Sequence, residues 1–497
     1  MVNRLSPDDA MYYFLDRSGT TTHLGALVIL DPAAADPGCT VDYASLVALV
    51  ENRLTLVPRY RQRVAEVTFG LARPLWVDDP DFDITFHVRR AALPQPGDDA
   101  ALADFIARVM SRPLDRNRPL WEMYLVEGLV DGRSAILTKT HRCLLGDGAH
   151  REISEVIAEE SIEPVRLDEE LWMPATPPGA RSRAIGALAE VVARPGELVD
   201  AVFNGAGPLT DLLSLADRSA RFVGNTAQQL MNSAPDSPLN RAGSSARLYT
   251  FVSVPREQVQ AIAERFECSF NDVILGVITG VMRRWTLSVK DLLSHGETVR
   301  AVLPLGARES VADETASGGW MNEGRTEFIT DLPIGEDAPS VRLMQVAGLA
   351  DRYSQSQGRM TLGLRPMLPE LGVVPFADVT TRVFNSLFQR SYNVPIRIGN
   401  SRIERRYVNG VPVTGLFTVP MLAEHRALAI SVNEYHEAVE FGFLADRNAL
   451  GDLPAMAGYV TESIEELATG GFPNVFGRGG NMAGPKPGAP AGNGKGD

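Results

Sequence analysis

Apolar and polar positions alternate in two registers along the chain. Residues 24–30, LGALVIL, form a short, nearly unbroken apolar run, the pattern of a buried strand. Residues 43–57, YASLVALVENRLTLV, space apolar side chains three and four apart and predict an amphipathic helix. Residues 121–141, WEMYLVEGLVDGRSAILTKTH, read as two strands joined by a turn centred on Asp131 and Gly132. Residues 149–160, AHREISEVIAEE, place Ile153, Val156 and Ile157 on one helical face. The segment between the last two, TKTHRCLLGDGAH at 138–150, is therefore expected to be a strand-to-helix turn.

The pattern then changes. Residues 173–183, MPATPPGARSR, are rich in proline and small residues. Two helical stretches follow at about 183–203 and 209–232, and then a polar loop, NSAPDSPLNRAGSS. This stretch reads as a connector with helices of its own. The mixed pattern resumes at 246. In SFNDVILGVITGVMRRW, Val273, Ile274, Val277, Ile278, Val281 and Met282 make a wide apolar stripe, and Ser269, Asn271 and Asp272 are candidates for the helix start. Residues 427–448, ALAISVNEYHEAVEFGFLADRN, read as a hairpin with Leu428, Ile430 and Val432 on one strand and Val439, Phe441 and Phe443 on the other. Residues 471–497 hold nine Gly and four Pro and are expected to be disordered. The domain organisation expected is 1–165, a connector at 166–245, 246–470, and a tail. At 497 residues the chain is too long for one hydrophobic core.

Charge and cysteine usage narrow the classes. A net charge of −14 with no basic block disfavours nucleic-acid binding and strong adhesion to anionic lipid. Three scattered cysteines suit neither a disulfide framework nor a zinc site and suggest a reducing compartment. The first residues carry charges and a proline where a secretory leader needs an apolar run, and no apolar run approaches the ~18 residues of a spanning helix. A cytoplasmic protein is expected, with peripheral membrane contact left open.

Chemistry enters at the turn. A neutral imidazole such as His141 can take a proton from an alcohol as the alcohol attacks an acyl group. A carboxylate such as Asp147 can fix the loop, and Gly148 lets the chain turn sharply. There is no G-x-S-x-G elbow and no phosphate loop. Taken alone, a His and an Asp six residues apart also fit a plain turn with a surface histidine.

The surroundings extend that reading. The chain carries LSPDDAMYYFLD and THLGALVILDP, PRYRQRV, LWVDDPDFDITFHVRR and RPLDRNRPLWEMYLVEGL. Later come SFNDVILGVITGVMRRW, RAVLPLGAR and FGFLADRNAL. With Pro119-Leu120-Trp121, Asn271-Asp272 at a helix start and the closing Ala-Asp-Arg, it resembles the bacterial wax ester synthase/diacylglycerol acyltransferase family, abundant in mycobacteria, over nearly its whole length except the tail. The resemblance implies an α/β fold of two chloramphenicol-acetyltransferase-like, condensation-domain-like domains with a tunnel between them. It implies acyl-CoA as donor substrate, diacylglycerol or a long-chain alcohol as acceptor, and no cofactor. Peripheral membrane or lipid-droplet contact and a protein partner stay open.

The family motif is two adjacent histidines, three residues, then Asp-Gly, with the second histidine as proposed base. Here His141 holds the first position, Arg142 the second, and four residues precede Asp147. Arginine stays protonated and cannot be a general base. Three readings follow: His141 takes the base position, with Asp147 holding the loop; the chain binds acyl-CoA or lipid with weak or no turnover; or His150, placed in the first turn of the next helix, serves. Two other family loops also differ, at Ser391-Tyr392-Asn393-Val394-Pro395-Ile396 and in GGWMNEGRTE at 318–327. Gly148, Asn271 and Asp272 are the substrate-side candidates, the last two better suited to capping their helix and holding the domain interface. His23 and His87 read as structural residues in strand-like runs, Trp121 as a core anchor, Arg283-Arg284 as a phosphate contact or a solvated helix end, and Cys143 as a poor nucleophile. A condensation enzyme using a carrier-bound acyl group is a third, less favoured class.

Overall fold

The computed structural model describes residues 3–16, 21–67, 73–146, 150–163, 165, 167, 172–176, 179, 234–235, 237–240, 243–290, 292–304, 327–355, 391–399, 402–423 and 425–470. In the first half these form α1 (Pro7–Leu15), β1 (His23–Leu30), α2 (Tyr43–Arg53), β2 (Gln62–Ala65), β3 (Leu75–Asp78), α3 (Ile84–His87), β4 (Val88–Ala92), α4 (Asp99–Met110), β5 (Trp121–Glu127), β6 (Ser134–His141) and α5 (Ile153–Ile157). In the second half they form β7 (Arg247–Pro255), α6 (Arg256–Phe266), α7 (Phe270–Val289), β8 (Val299–Pro304), β9 (Glu327–Leu332), α8 (Pro339–Gln355), β10 (Val394–Ile398), β11 (Tyr407–Val408), β12 (Val411–Val419), β13 (Leu428–Tyr435), β14 (Ala438–Asp446) and α9 (Ala455–Thr469). The expected connector helices, the tail, Asp147, Gly148 and most of the 318–327 loop lie outside the described residues.

Two six-stranded sheets carry the fold. One runs β11-β12-β1-β6-β5-β4, the other β7-β14-β13-β10-β8-β9, and β2-β3 form a small ribbon. β1 is buried throughout, as its apolar run requires. The β5–β6 hairpin turns where Asp131 (φ 61°) and Gly132 (φ 71°) enter the left-handed region, which glycine adopts freely and aspartate tolerates. In the second half β13 and β14 pair antiparallel from Leu428↔Ala445 to Tyr435↔Ala438. Several helices are shorter than their patterns suggest. α2 stops at Arg53, and α5 is a five-residue helix capped by Glu152. His150 therefore precedes that helix rather than sitting in its first turn, and His87 ends α3 rather than lying in a strand.

α7 anchors the second half. Ser269 and Asp272 form a reciprocal capping box at its start, which satisfies donors left open at a helix N-terminus. Its stripe is at most 1% exposed from Val273 to Met282 at the six expected positions. Burying six such side chains is worth about 9–18 kcal/mol as an upper range. Gly280 lets helices approach closely, since a Cβ there would fall 2.7 Å from Ser463 Oγ of α9.

The halves are joined by a device that the pattern does not reveal. β12 belongs in sequence to the second half but pairs with β1 in the first sheet, Val28 opposite Leu416 and Ala26 opposite Thr418. Beyond the short β11, its other edge is closed by side chains of the second sheet. Leu416 N–H donates to Glu440 Oε2 (2.6 Å), Asn433 Nδ2 donates to Leu416 O (3.2 Å), and Ser431 Oγ donates to Thr418 O (2.6 Å). An open edge would otherwise bury unpaired amides. Burial pushes the Glu440 carboxyl up to about 8.

Candidate functional site

The motif strand ends directly opposite the start of β1. His141 and His23 are a register pair, with ring centroids 5.6 Å apart. Directly opposed residues share a face, and side chains alternate along a strand. Both histidines therefore project from the same face of the sheet as Leu27, Ile29, Ala135 and Leu137. That face packs against α4 and against Tyr249, Phe417, Ala429 and Leu444. The motif histidine thus sits at one end of the surface where the halves meet. Arg247 of the second half reaches across at this end, its Nη2 3.3 Å from Thr21 Oγ1.

His141 is 1% exposed and both its nitrogens are engaged. Cys143 N–H donates to Nδ1 (3.1 Å), so the ring caps the turn that follows. Burial, then Arg116 and Arg142, hold its pKa down at about 3, so the ring is neutral at physiological pH. A neutral imidazole carries one proton, and a nitrogen that accepts cannot hold it. The proton is therefore on Nε2, donated to Thr22 Oγ1 at 2.9 Å. Thr22 Oγ1 in turn donates to Tyr12 O (3.2 Å). His141 ties β6, β1 and α1 together.

Asp16, just past α1, lies between the histidines. Its Oδ1 is 3.8 Å from His23 Nε2 and its Oδ2 3.8 Å from His141 Nε2. Arg116 pairs with it at 3.3 Å and Thr22 N–H donates to it at 3.3 Å. Burial raises the Asp16 carboxyl, and Arg116 opposes the rise. These atoms of Asp16, His23 and His141 lie within 4.8 Å of one another, a grouping that could hold a metal ion. His141 offers its Nε2 lone pair only by giving up the Cys143 hydrogen bond, and Arg116 already occupies the carboxylate. Lys139, on the same face, donates to Val109 O (2.9 Å) and to Arg112 O, and burial lowers its pKa to about 8.

Arg142 points elsewhere. It is 4% exposed, donates from Nη1 to Gly146 O (2.6 Å) and covers the Tyr12 ring at 5.1 Å. Its guanidinium holds the turn from inside. Cys143 is buried and its thiol is pushed up, so it stays protonated and unreactive. His150 keeps part of its surface exposed, and the partial burial of its ring, then Arg59, lowers its pKa. Asn271 and Asp272 start α7, where Asp272 Oδ2 accepts from Ser269 N–H (3.0 Å) as a helix cap. Arg283 donates to Ile334 O (2.7 Å) and pairs with Asp337, while Arg284 pairs with Glu466 (3.2 Å). Arg284 ties α7 to α9, and Arg283 ties it to the loop between β9 and α8, so neither forms a solvated end. Trp121 is the expected core anchor, its Nε1 donating to Tyr60 O (2.8 Å) and its ring stacked on His87. In the 391–396 loop, Tyr392 lies under Arg426 at 4.2 Å, and Asn393 Oδ1 accepts from Arg300 N–H (2.8 Å). Sequence reasoning missed Asp16 and Thr22 and set His23 aside. Their signal is the β1–β6 register, which a local pattern does not carry.

Solved structures share this architecture of two sheet-linked α/β halves. The first condensation domain of the calcium-dependent antibiotic synthetase shares it at 14% identity and TM-score 0.52, over 95% of this chain and 98% of that one. A wax ester synthase/diacylglycerol acyltransferase from Marinobacter aquaeolei VT8 shares it at 21% identity and TM-score 0.65, over 94% and 98%. Residues 5–274 match the wax ester synthase/diacylglycerol acyltransferase catalytic domain and 328–468 the C-terminal domain of that family. A probable diacylglycerol O-acyltransferase of Mycobacterium tuberculosis, tgs3, is 40% identical over 269 residues, 54% of this chain and 98% of the relative. The chain belongs to the wax ester synthase/diacylglycerol acyltransferase family. Among the described residues no helix is long and apolar enough to cross a membrane.

Proposed function

We propose that this chain transfers a long-chain acyl group from acyl-CoA to the hydroxyl of diacylglycerol or of a fatty alcohol. The observation that carries the reading is a neutral, buried motif histidine on the face where the two halves meet, in a chain matched along both parts of the family. In this reading the donor and acceptor meet at the seam beside His141. In the same reading Asp147 and Gly148 serve in the motif loop, and Asn271 and Asp272 on the substrate side at the start of the long helix. The relatives' printed activity supports diacylglycerol as acceptor. The test is purified full-length protein with palmitoyl-CoA and diacylglycerol, followed by free CoA release and by the lipid product. Steady release that depends on diacylglycerol upholds the reading, and its absence rejects it.

A second reading rests on one specific observation. Arg142 replaces the second histidine and is tied down inside its own turn. On this reading the scaffold binds acyl-CoA and lipid with little turnover. Arg142→His, with one residue deleted from 143–146 to restore the family spacing, should then raise CoA release by ~10²-fold or more, the usual scale of a positioned base. Equal rates in variant and native chain reject it.

A further inference from the structure

His23 is the unexplained group at this site. It is 2% exposed, yet neither ring nitrogen has a hydrogen-bond partner among the described residues. A buried polar group left unpaired costs about 1–3 kcal/mol, and buried polar groups in native proteins are nearly always paired. His141, its neighbour, has no free lone pair, because Nδ1 accepts from Cys143 and Nε2 bears the proton. In a neutral His23 one nitrogen is always unprotonated and unengaged. His23 Nε2 faces Asp16 Oδ1 at 3.8 Å, close enough for the carboxylate to orient the ring and too far for a settled hydrogen bond. An incoming hydroxyl would find an acceptor here that nothing else among the described residues uses. The ring stands on the seam face, at the end where Arg247 reaches over from the second half.

We propose that His23, oriented by Asp16, binds the acceptor hydroxyl and takes its proton, while His141 is a positioning residue that clasps the strand ends. The inference rests on the transfer reading above. The alcohol oxygen forms the ester bond to the thioester carbonyl carbon as its proton moves to His23. The C–S bond then breaks, and the departing CoA thiolate takes that proton back, leaving ester and CoA-SH. The charged or titratable groups around His23 are Asp16, Lys139, His141, Arg116 and Arg247. Burial, then Lys139, His141, Arg116 and Arg247, hold His23 well below the ordinary imidazole range, so its lone pair is free for the hydrogen bond of the incoming hydroxyl.

The test uses the full chain with His23→Ala, His23→Gln and His141→Gln. Glutamine can hold a hydroxyl but cannot carry its proton, so His23→Gln separates a structural role from a chemical one and decides the matter if the alanine variant fails to fold. CoA release should fall ~10²–10⁴-fold in kcat for both His23 variants, the range of a lost general base, with KM for palmitoyl-CoA near the native value. His141→Gln, which loses the clasp, should lower the melting temperature and reduce kcat less than His23→Gln does. A His23→Gln variant within about threefold of native kcat, in a native chain that turns over, overturns the proposal while leaving the transfer reading intact. A readout free of turnover separates the two. In [15N]histidine-labelled protein, the imidazole signals absent from the His23→Gln spectrum should shift on adding 1-hexadecanol, and those of His141 should not. If the native chain releases no CoA, the transfer reading fails. A hexadecanol shift at His23 then still upholds it as the hydroxyl-binding group, and an unmoved His23 overturns that as well.

Discussion

Replacing Glu440 with glutamine should stabilise this protein, and increasingly so as pH rises. Glu440 is 1% exposed. Its Oε2 holds Leu416 N–H of the crossing strand, and its Oε1 has no partner among the described residues. Burial lifts its pKa from the ordinary 4.5 to about 8. The folded state therefore holds this proton where the unfolded chain releases it. The full contribution to stability is present below about 4.5 and is lost progressively as pH rises through about 8. At ~1.4 kcal/mol per unit, the carboxyl costs roughly 3 kcal/mol at neutral pH and roughly 5 kcal/mol above pH 8. Glutamine keeps the acceptor for Leu416 and has no proton to lose. Thermal unfolding of Glu440→Gln and the native chain should nearly coincide near pH 5. They should separate by ~5–10 °C at pH 7, given a few degrees per kcal/mol, and further at pH 9. Melting curves that run parallel across this range, or a variant less stable throughout, would falsify the account of how the two sheets are joined.

Two further substitutions probe the clasp and the helix packing. Thr22→Val keeps the shape but leaves the His141 Nε2 proton without an acceptor, so stability should drop by ~1–3 kcal/mol. Thr22→Ser should recover most of the loss in the same thermal assay, and equal melting of the two variants would remove the assigned tautomer. Gly280→Ala drives a methyl to 2.7 Å from Ser463 Oγ and should cost ~1–3 kcal/mol by overpacking. The double variant with Ser463→Gly should restore part of it, and a single variant as stable as the native chain would show that α7 and α9 can part freely.

The local pattern reached much of the fold and less of the site, and the division follows the range of the interactions. Strands β1, β5, β6, β13 and β14 and helix α7 were legible because alternation or a helical stripe is written within a dozen residues. The entry of β12 into the first sheet was not, since it depends on pairing Leu27 with Phe417 across the chain. Short helices escaped for a related reason. The apolar stripe of 43–57 continues past Arg53 because Leu54 packs in the core as part of a turn, not a helix. The family fold was legible through scattered motifs, and both sheets bear it out.

At the site, the sequence could name His141 but not the state of its ring. Which nitrogen holds the proton is decided by the Cys143 amide, and that amide meets the ring only because the chain turns into a short 3₁₀ segment after the strand. The same turn sends Arg142 toward Tyr12 and Gly146. The loss of the family's second histidine therefore does not leave the seam without an imidazole lone pair. His23 stands on the neighbouring strand with neither nitrogen claimed among the described residues, and Asp16 lies beside it. Position 142 lies past the end of the strand, in the turn held by Gly146 and Tyr12. Substituting there and substituting at His23 thus test independent sources of a base, and the protein's chemistry is decided by which of the two changes the rate.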